Sequence, residues 1–222
     1  MRSPLTKYAT REIVLFGAFG LVLTAVVAAI PGWFWLLSAI PLAFTVWVVW
    51  FFRDPPRRVP TGERLLLAPA DGRVTHVETI DAPDELDGPG PALRISIFLS
   101  IFDCHLNRAP CAGSVQRVVR RQGRFLNAMN PASATENEQA IIVLKPDAVA
   151  GPVLVRQVAG AIARRIVCEV REGDHLATGQ KFGMIKFGSR TDLVVSGEVP
   201  VDVRVKVGDK VKAGLTVLGQ FG

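Results

Sequence analysis

Two uncharged apolar runs separated by one Pro-Gly pair constrain this chain more than any other feature. "IVLFGAFGLVLTAVVAAI" covers residues 13–30 and "WFWLLSAIPLAFTVWVVWFF" covers 33–52, with Pro31 and Gly32 between them. Each approaches the ~20 apolar residues that cross the hydrocarbon core of a bilayer. Adjacent runs rich in Trp and Phe read as an α-helical membrane segment rather than as core helices. A cleavable signal peptide is excluded, because a second apolar run stands where a small-residue cleavage site and a polar mature chain would follow. Charge orients the segment. Arg2, Lys7 and Arg11 flank the first run, and Arg53, Arg57, Arg58 and Arg64 follow the second. Both ends are therefore expected on the cytoplasmic side, with Pro31-Gly32 at the far tip. A hairpin that dips only partway fits nearly as well, since Pro41 breaks or kinks a helix inside the second run.

"FRDPPRRVP" (52–60) marks the boundary, because its proline density stops any helix and the composition then turns polar and β-forming. Residues 1–60 read as membrane anchor and linker, and 61–222 as one globular domain. Hydrophobic residues make up 49% of the chain, enough for that domain to bury one good core. A net charge of +6 invites a nucleic-acid reading. The basic residues are scattered, however, and no recognised motif interleaves them with aromatics. Beside a membrane anchor, attraction to an anionic lipid surface is the simpler account. Cys104, Cys111 and Cys168 are three, without CxxC pairing, so neither a disulfide framework nor a structural metal site is expected.

From residue 65 onward short β-forming runs alternate with Gly, Pro and Asp turns, as in "LRISIFLSIF" (93–102), "QAIIVLK" (139–145), "GPVLVRQVAG" (151–160), "RRIVCEV" (164–170) and "DLVVSG" (192–197). The fold class expected is mainly β with few helices; "GAIARR" (160–165) is a turn or a short helix. "VREGDHLATGQKFG" (170–183) and "VKVGDKVKAGLTVL" (205–218) share the frame V-x-x-G-D-x-[LV]-x-x-G. Paired hairpins of this kind build barrel-sandwich folds, which include lipoyl- and biotin-carrying domains. A carrier module without chemistry is thus a rival reading, but carriers need a lysine at a hairpin tip. Here the tips read Gly-Asp, and between the repeats stands Gly188-Ser189.

That dipeptide lies in "GMIKFGSRTDLVV" (183–195), between two strand-like runs. An ordinary turn is the default. A phosphate loop is excluded because a strand pattern, not a helix, follows, and the G-x-S-x-G elbow of hydrolases has the wrong spacing. A third reading is self-cleavage. A serine hydroxyl forced against the preceding carbonyl can convert the peptide to an ester, and a glycine before it removes the obstructing Cβ and tolerates strain. β-Elimination then leaves dehydroalanine, which hydrolyses to a pyruvoyl group. Such a carbonyl accepts a substrate amine as a Schiff base and takes up the electrons of a departing carboxylate.

Four stretches, "FFRDPPR" (51–57), "APADGRV" (68–74), "FDCHLNRAP" (102–110) and "GMIKFGSRTDL" (183–193), occur in order. Together they resemble the phosphatidylserine decarboxylases, in particular their short bacterial and archaeal branch. The resemblance implies cleavage between Gly188 and Ser189 into a β chain, 1–188, and an α chain, 189–222, headed by the pyruvoyl cofactor. It implies decarboxylation of phosphatidylserine in the bilayer to phosphatidylethanolamine, on the cytoplasmic side of the cell membrane, by a homo-oligomer. The alternative is the same chemistry on another serine-headgroup lipid, such as one with ether tails.

The resemblance also suggests roles for other residues. His105, where a strand runs into a Pro-stopped loop, is the expected general base for Ser189, and it also serves turnover. Asp71 resembles the family's catalytic aspartate, which orients and polarises a histidine. Longer members carry H-x-x-H where this chain has His105 and then Arg108. One histidine must therefore serve both steps, or another group substitutes, with His76 a candidate; His175 sits in a Gly-Asp turn and should be solvated. Arg108 is the expected ligand of the substrate phosphodiester. Arg121 and Arg124 could play that part or lie on a solvated face. Cys104 and Cys111 read as small buried hydrophobes.

Overall fold

The computed structural model describes residues 4–87, 89–127, 130, 132–161, 165–186 and 189–222. Gly188, and residues 162–164 of the expected turn or short helix at 160–165, lie outside the described residues. The chain divides into two compact units, Met1–Pro56 and Arg57–Gly222.

In the first unit, α1 (Thr10–Ala28) is followed by a 3-10 segment, Gly32–Ser38, and by α2 (Ala39–Phe51). Lys7–Ala28 and Gly32–Phe51 are each long and apolar enough to cross a membrane. Their large side chains face outward: Phe19 is 64%, Trp33 64% and Ile40 69% exposed, the reverse of a soluble helix. Where the helices touch, Gly20 lies against Thr45, and a Cβ at Gly20 would collide with the Thr45 hydroxyl. That hydroxyl donates to the Pro41 carbonyl at 2.8 Å, and Thr24 donates to Gly20 at 2.7 Å. Both are thus satisfied within their own helix, as a lipid environment requires. The second apolar run is not one continuous α-helix. It changes from 3-10 to α at Ser38–Ala39, which places Pro41 in the first turn of α2, where a missing N–H costs little.

The second unit is mainly β, as expected. Strands β1 (Leu65–Leu67), β2 (Gly72–Asp81) and β3 (Pro91–Leu99) open it. Next come β4 (Leu106–Arg108), β5 (Gly113–Arg121), β6 (Gln139–Pro146), β7 (Val153–Val158), β8 (Arg165–Cys168), β9 (His175–Leu176) and β10 (Lys181–Lys186). It closes with β11 (Ser189–Ser196), β12 (Val201–Val203), β13 (Lys210–Val211) and β14 (Val217–Phe221). One sheet runs β13-β2-β3-β11-β7-β6-β5-β9, and two smaller ones run β1-β14-β12 and β4-β10-β8.

Outward from the β11–β7 pair the large sheet is symmetric, and the two small sheets match strand for strand. The unit is a structural duplication. "APADGRV" (68–74) corresponds to "APCAGSV" (109–115), and each leads into a strand against the Gly-Asp turn of one repeat. Gly208 donates to Val74 and Gly173 to Val115, both at 2.8 Å. Asp209 and Asp174 close their turns by accepting from Lys206 N at 2.9 Å and Arg171 N at 2.8 Å. The second glycines, Gly214 (φ 67°) and Gly179 (φ 72°), are left-handed and donate to Ala68 and Ala109. The copies cross where Arg108 N donates to Pro69 and Leu67 N to Pro110.

One copy is split by the other. Strands β4–β10 form a continuous copy inserted between β3 and β11 of its counterpart. The chain therefore passes from one copy to the other between β3 and β4, through residues 100–105, and back between β10 and β11.

Strand alternation sorts the faces of β11. Leu193 and Val195 join the main apolar core with Ile95, Ile97, Val153 and Val155, whereas Val194 joins a smaller cluster with Leu86, Ile141 and Leu154. Both faces are covered, so β11 is buried from Ser189 to Val195.

The close approach of β2 to β3 makes Gly72 irreplaceable. It has φ of 147°, and a Cβ would strike the Phe98 carbonyl, which is backbone and cannot swing aside. Gly72→Ala should cost at least ~2 kcal/mol through overpacking and strain. In a thermal melt that is a fall of roughly 4–8 °C, and a wild-type melting temperature would refute the close contact. Burial pushes the Cys111 thiol up to about 12, with Asp147 adding to the shift. The folded state then holds a proton that the unfolded chain releases above its ordinary value of 9.0. Stability should be insensitive to this group at lower pH and fall as pH rises from 9 towards 12. Denaturant titrations across that range should show a shallower alkaline loss for Cys111→Ala than for the wild type.

Candidate active site

Ser189 is the first residue of β11, opposite Leu99 of β3. It shares the interior face with Thr191, Leu193 and Val195 by alternation. It is 0% exposed, and its hydroxyl has no hydrogen-bond partner among the described residues. Buried polar atoms are almost always paired, so an unengaged hydroxyl at the head of a central strand is the most informative atom in the unit. The strand-like runs on either side of residues 187–188 are β10 and β11, as expected, but they belong to different sheets and do not form a hairpin with each other.

His105 stands at the other junction between the copies. Its carbonyl accepts from Ile185 N at 3.2 Å, which ties it to β10 four residues before Ser189. The segment from Leu99 to His105 thus starts opposite Ser189 and ends opposite β10, and a turn braces it. Within that turn the Asp103 carboxylate accepts from Ser100 N at 2.8 Å and from Ser100 Oγ at 2.7 Å. The imidazole is buried, with Nδ1 3.0 Å from the Asp103 carbonyl. A carbonyl only accepts, so Nδ1 carries the proton of the neutral ring and Nε2 is the basic nitrogen.

Asp71 is buried, but its carboxylate is engaged elsewhere than the expected histidine. Arg57 donates to both its oxygens, at 2.5 and 2.7 Å, and Ala213 N donates to Oδ1 at 2.8 Å. Arg57 also donates to the Ala213 carbonyl at 2.6 Å. This bidentate clamp fastens residue 57 to the Asp71 turn and to the Gly214 turn. In sequence Arg57 reads only as a topology charge, although it ends the "FFRDPPR" motif.

Arg108, expected at the substrate phosphate, is 8% exposed and donates to the Gly179 carbonyl at 3.0 Å. A Cβ on Gly214 would come within 2.9 Å of its Cδ and 3.4 Å of Gly179 Cα. Arg108 therefore packs where the two repeat glycines meet, inside the unit. Arg121 pairs with buried Glu85 at 2.6 Å, and Arg124 with Glu136 at 3.2 Å on the surface. His76 is exposed beside Thr75, and exposed His175 lies 2.9 Å from Asp147. Cys104, Cys111 and Cys168 are buried and form no disulfide among the described residues, and burial raises the Cys168 thiol as well.

Other residues of the site carry no signal that sequence reading caught. Asn107 donates to Thr191 Oγ1 at 3.0 Å and to the Pro69 carbonyl at 3.3 Å, and Gln157 donates to Asn107 Oδ1 at 2.9 Å. On the opposite face of β11, Arg190 meets Asp192 at 2.9 Å, both buried. Arg156 stands opposite Asp192 in register, its affinity for a proton lowered by burial. Asn107, Thr191, Arg190 and Asp192 lie inside stretches already marked as motifs; Gln157 does not.

A family model described as phosphatidylserine decarboxylase matches residues 44–219. That span takes in the Arg57–Asp71 clamp, the His105 junction, the Ser189 strand and both copies of the duplication. The chain accordingly belongs to the phosphatidylserine decarboxylase family, whose reaction, loss of carbon dioxide from phosphatidylserine, makes it a carboxy-lyase of phospholipid biosynthesis.

Proposed function

We propose that the chain matures by attack of Ser189 on the carbonyl of residue 188, and that the group made from Ser189 then serves decarboxylation. The observation that carries this reading is the buried, unengaged Ser189 hydroxyl at the head of a central strand. The chemistry balances within the chain. The Oγ–C bond forms, the C–N bond breaks, and the hydroxyl proton passes through a base to the released nitrogen. Loss of the Cα proton then expels the residue-188 carboxylate from Cβ. Tautomerisation to an imine, addition of water and departure of ammonia leave a pyruvoyl group on residue 189. When present, that group supplies a carbonyl that condenses with the substrate amine and takes up the electrons released with carbon dioxide.

Two features fit such a group to this site. The atom that generates it is already shielded from water, and Nε2 is the basic nitrogen of a neutral His105 whose Nδ1 donates to the Asp103 carbonyl. His105 takes the serine proton during maturation and later returns a proton to the decarboxylated carbon. The Arg57–Asp71 clamp holds the turn that β1 and β2 share. The apolar helices bring the unit to its lipid substrate, and the flanking arginines place it on the cytoplasmic side.

Intact mass of the purified protein is the primary test. Two chains are expected, the smaller being residues 189–222 with a carbonyl-reactive, blocked terminus, and Ser189→Ala should give one uncut chain. Two fragments from Ser189→Ala would sink the reading. His105→Ala should accumulate precursor, with processing slowed ~10²–10⁴-fold and rising with pH as hydroxide replaces imidazole. Normal maturation followed by failed turnover would restrict His105 to the second step. Because β11 pairs with β3 on one side and β7 on the other, the two chains should co-elute without denaturant and separate only on unfolding.

A further inference from the structure

The two Gly-Asp hairpins share a backbone but not a surface. Lys206, Val207, Lys210 and Lys212 of one align with Arg171, Glu172, His175 and Ala177 of the other, and Arg73 on the adjoining strand aligns with Ser114. The second hairpin is neutralised locally: Glu172 accepts from Val118 N at 3.1 Å, and His175 meets Asp147 at 2.9 Å. The first is not. Lys206, Lys210, Lys212 and Arg73 are all exposed, and among the described residues none has a carboxylate partner. Arg73 donates to the Gly208 carbonyl at 2.6 Å, and Asp209, the acid of the turn, accepts from Lys206 N. Val207, set among these cations, is 59% exposed. With Phe102 at 62%, it is one of two large apolar side chains left exposed among the described residues of the second unit. The twin turn folds without this set of side chains, so the turn itself does not call for them.

Register places the hairpin beside the candidate active site. Lys210, Arg73, Phe98 and Arg190 stand opposite one another in one row across β13, β2, β3 and β11, and Arg190 is the residue after Ser189. Three strand spacings, about 14 Å, separate the ends of that row.

We propose that Lys206, Lys210, Lys212 and Arg73, with Val207 at the turn, form a docking surface for an anionic lipid bilayer, in addition to the apolar helices. Cations on a surface are drawn to lipid phosphates and carboxylates, and an apolar side chain among them enters the headgroup region. The phospholipid substrate of the family lies in that bilayer, and contact along this row brings headgroups to the end of the sheet where Ser189 stands. The inference rests on the family's lipid reaction and goes beyond it in naming the surface that meets the lipid.

The test uses the full-length protein reconstituted in vesicles, with a polarity-sensitive fluorophore on Val207→Cys or, at the twin position, on Glu172→Cys. The wild-type chain, whose cysteines are buried, gives the labelling background. In vesicles containing phosphatidylglycerol, the label at 207 should shift to the blue and the label at 172 should not, and added salt should reverse the shift. In vesicles of phosphatidylcholine alone neither label should shift. Each cation near an anionic surface strengthens contact about fivefold. Replacing all three lysines (Lys206→Gln, Lys210→Gln, Lys212→Gln) should therefore weaken docking on the order of 10²-fold and abolish the shift. Equal responses at 207 and 172, no response at either, or a shift at 207 that persists in phosphatidylcholine would overturn the inference. The label reports docking whether or not the chain is cut, so fragments from Ser189→Ala would overturn self-cleavage and leave this result standing.

Discussion

The pairing of β11 between β3 and β7 is the constraint on which the rest of this unit depends. An eight-residue strand with backbone partners on both sides and cover on both faces has no freedom to shift. A slip of one residue would send Ser189 and Thr191 to the outer face and drive Arg190 and Asp192 into the apolar interior. Register, and with it the address of the Ser189 hydroxyl, is enforced by hydrophobic burial rather than by contacts to the hydroxyl itself. That is how an unengaged polar atom persists at 0% exposure: its neighbours along the strand hold it there.

Insertion of one copy into the other explains where the site lies. Within either copy the backbone is committed to sheets and turns, and its polar groups are spent on them. The chain crosses from the large sheet to a small one between β3 and β4, and from a small sheet back to the large one between β10 and β11. His105 ends one junction and Ser189 follows the second. The Arg57–Asp71 clamp and the Arg108–Gly179 bond hold turns of the two copies. Arg108 buries a guanidinium against two glycines for this purpose, which is why it offers so little surface to a phosphate.

Much of this was legible beforehand, and the limits have physical causes. Apolar run lengths revealed both helices, and alternation with turn residues revealed the mainly-β unit, because each is a local property. The Gly-Asp frame exposed half of the duplication; the "AP-x-x-G-x-V" half was hidden because Asp71 in one copy is Ala112 in the other, and only the backbone role is shared. Ser189 and His105 stood out by residue type. Arg57 did not, since a charge beside an apolar segment reads as solvated until a carboxylate 14 positions on is seen to bind it. Gln157 was silent for the same reason: its partners Asn107 and Val167 come from other strands, and only the register assembles them.

A twofold frame around a onefold site has a practical consequence. Gly72 and Gly113 each lie against a strand carbonyl, of Phe98 and of Lys145, and Gly173 with Gly208, and Gly179 with Gly214, share left-handed backbone. Yet Asp71 occupies one copy's turn, and Ala112 stands at the matching place in the other. Asp71 therefore has a twin position with the same backbone role and no carboxylate. Substituting twin residues in parallel subtracts the cost of disturbing the scaffold from the effect on reaction, so the molecule supplies its own reference.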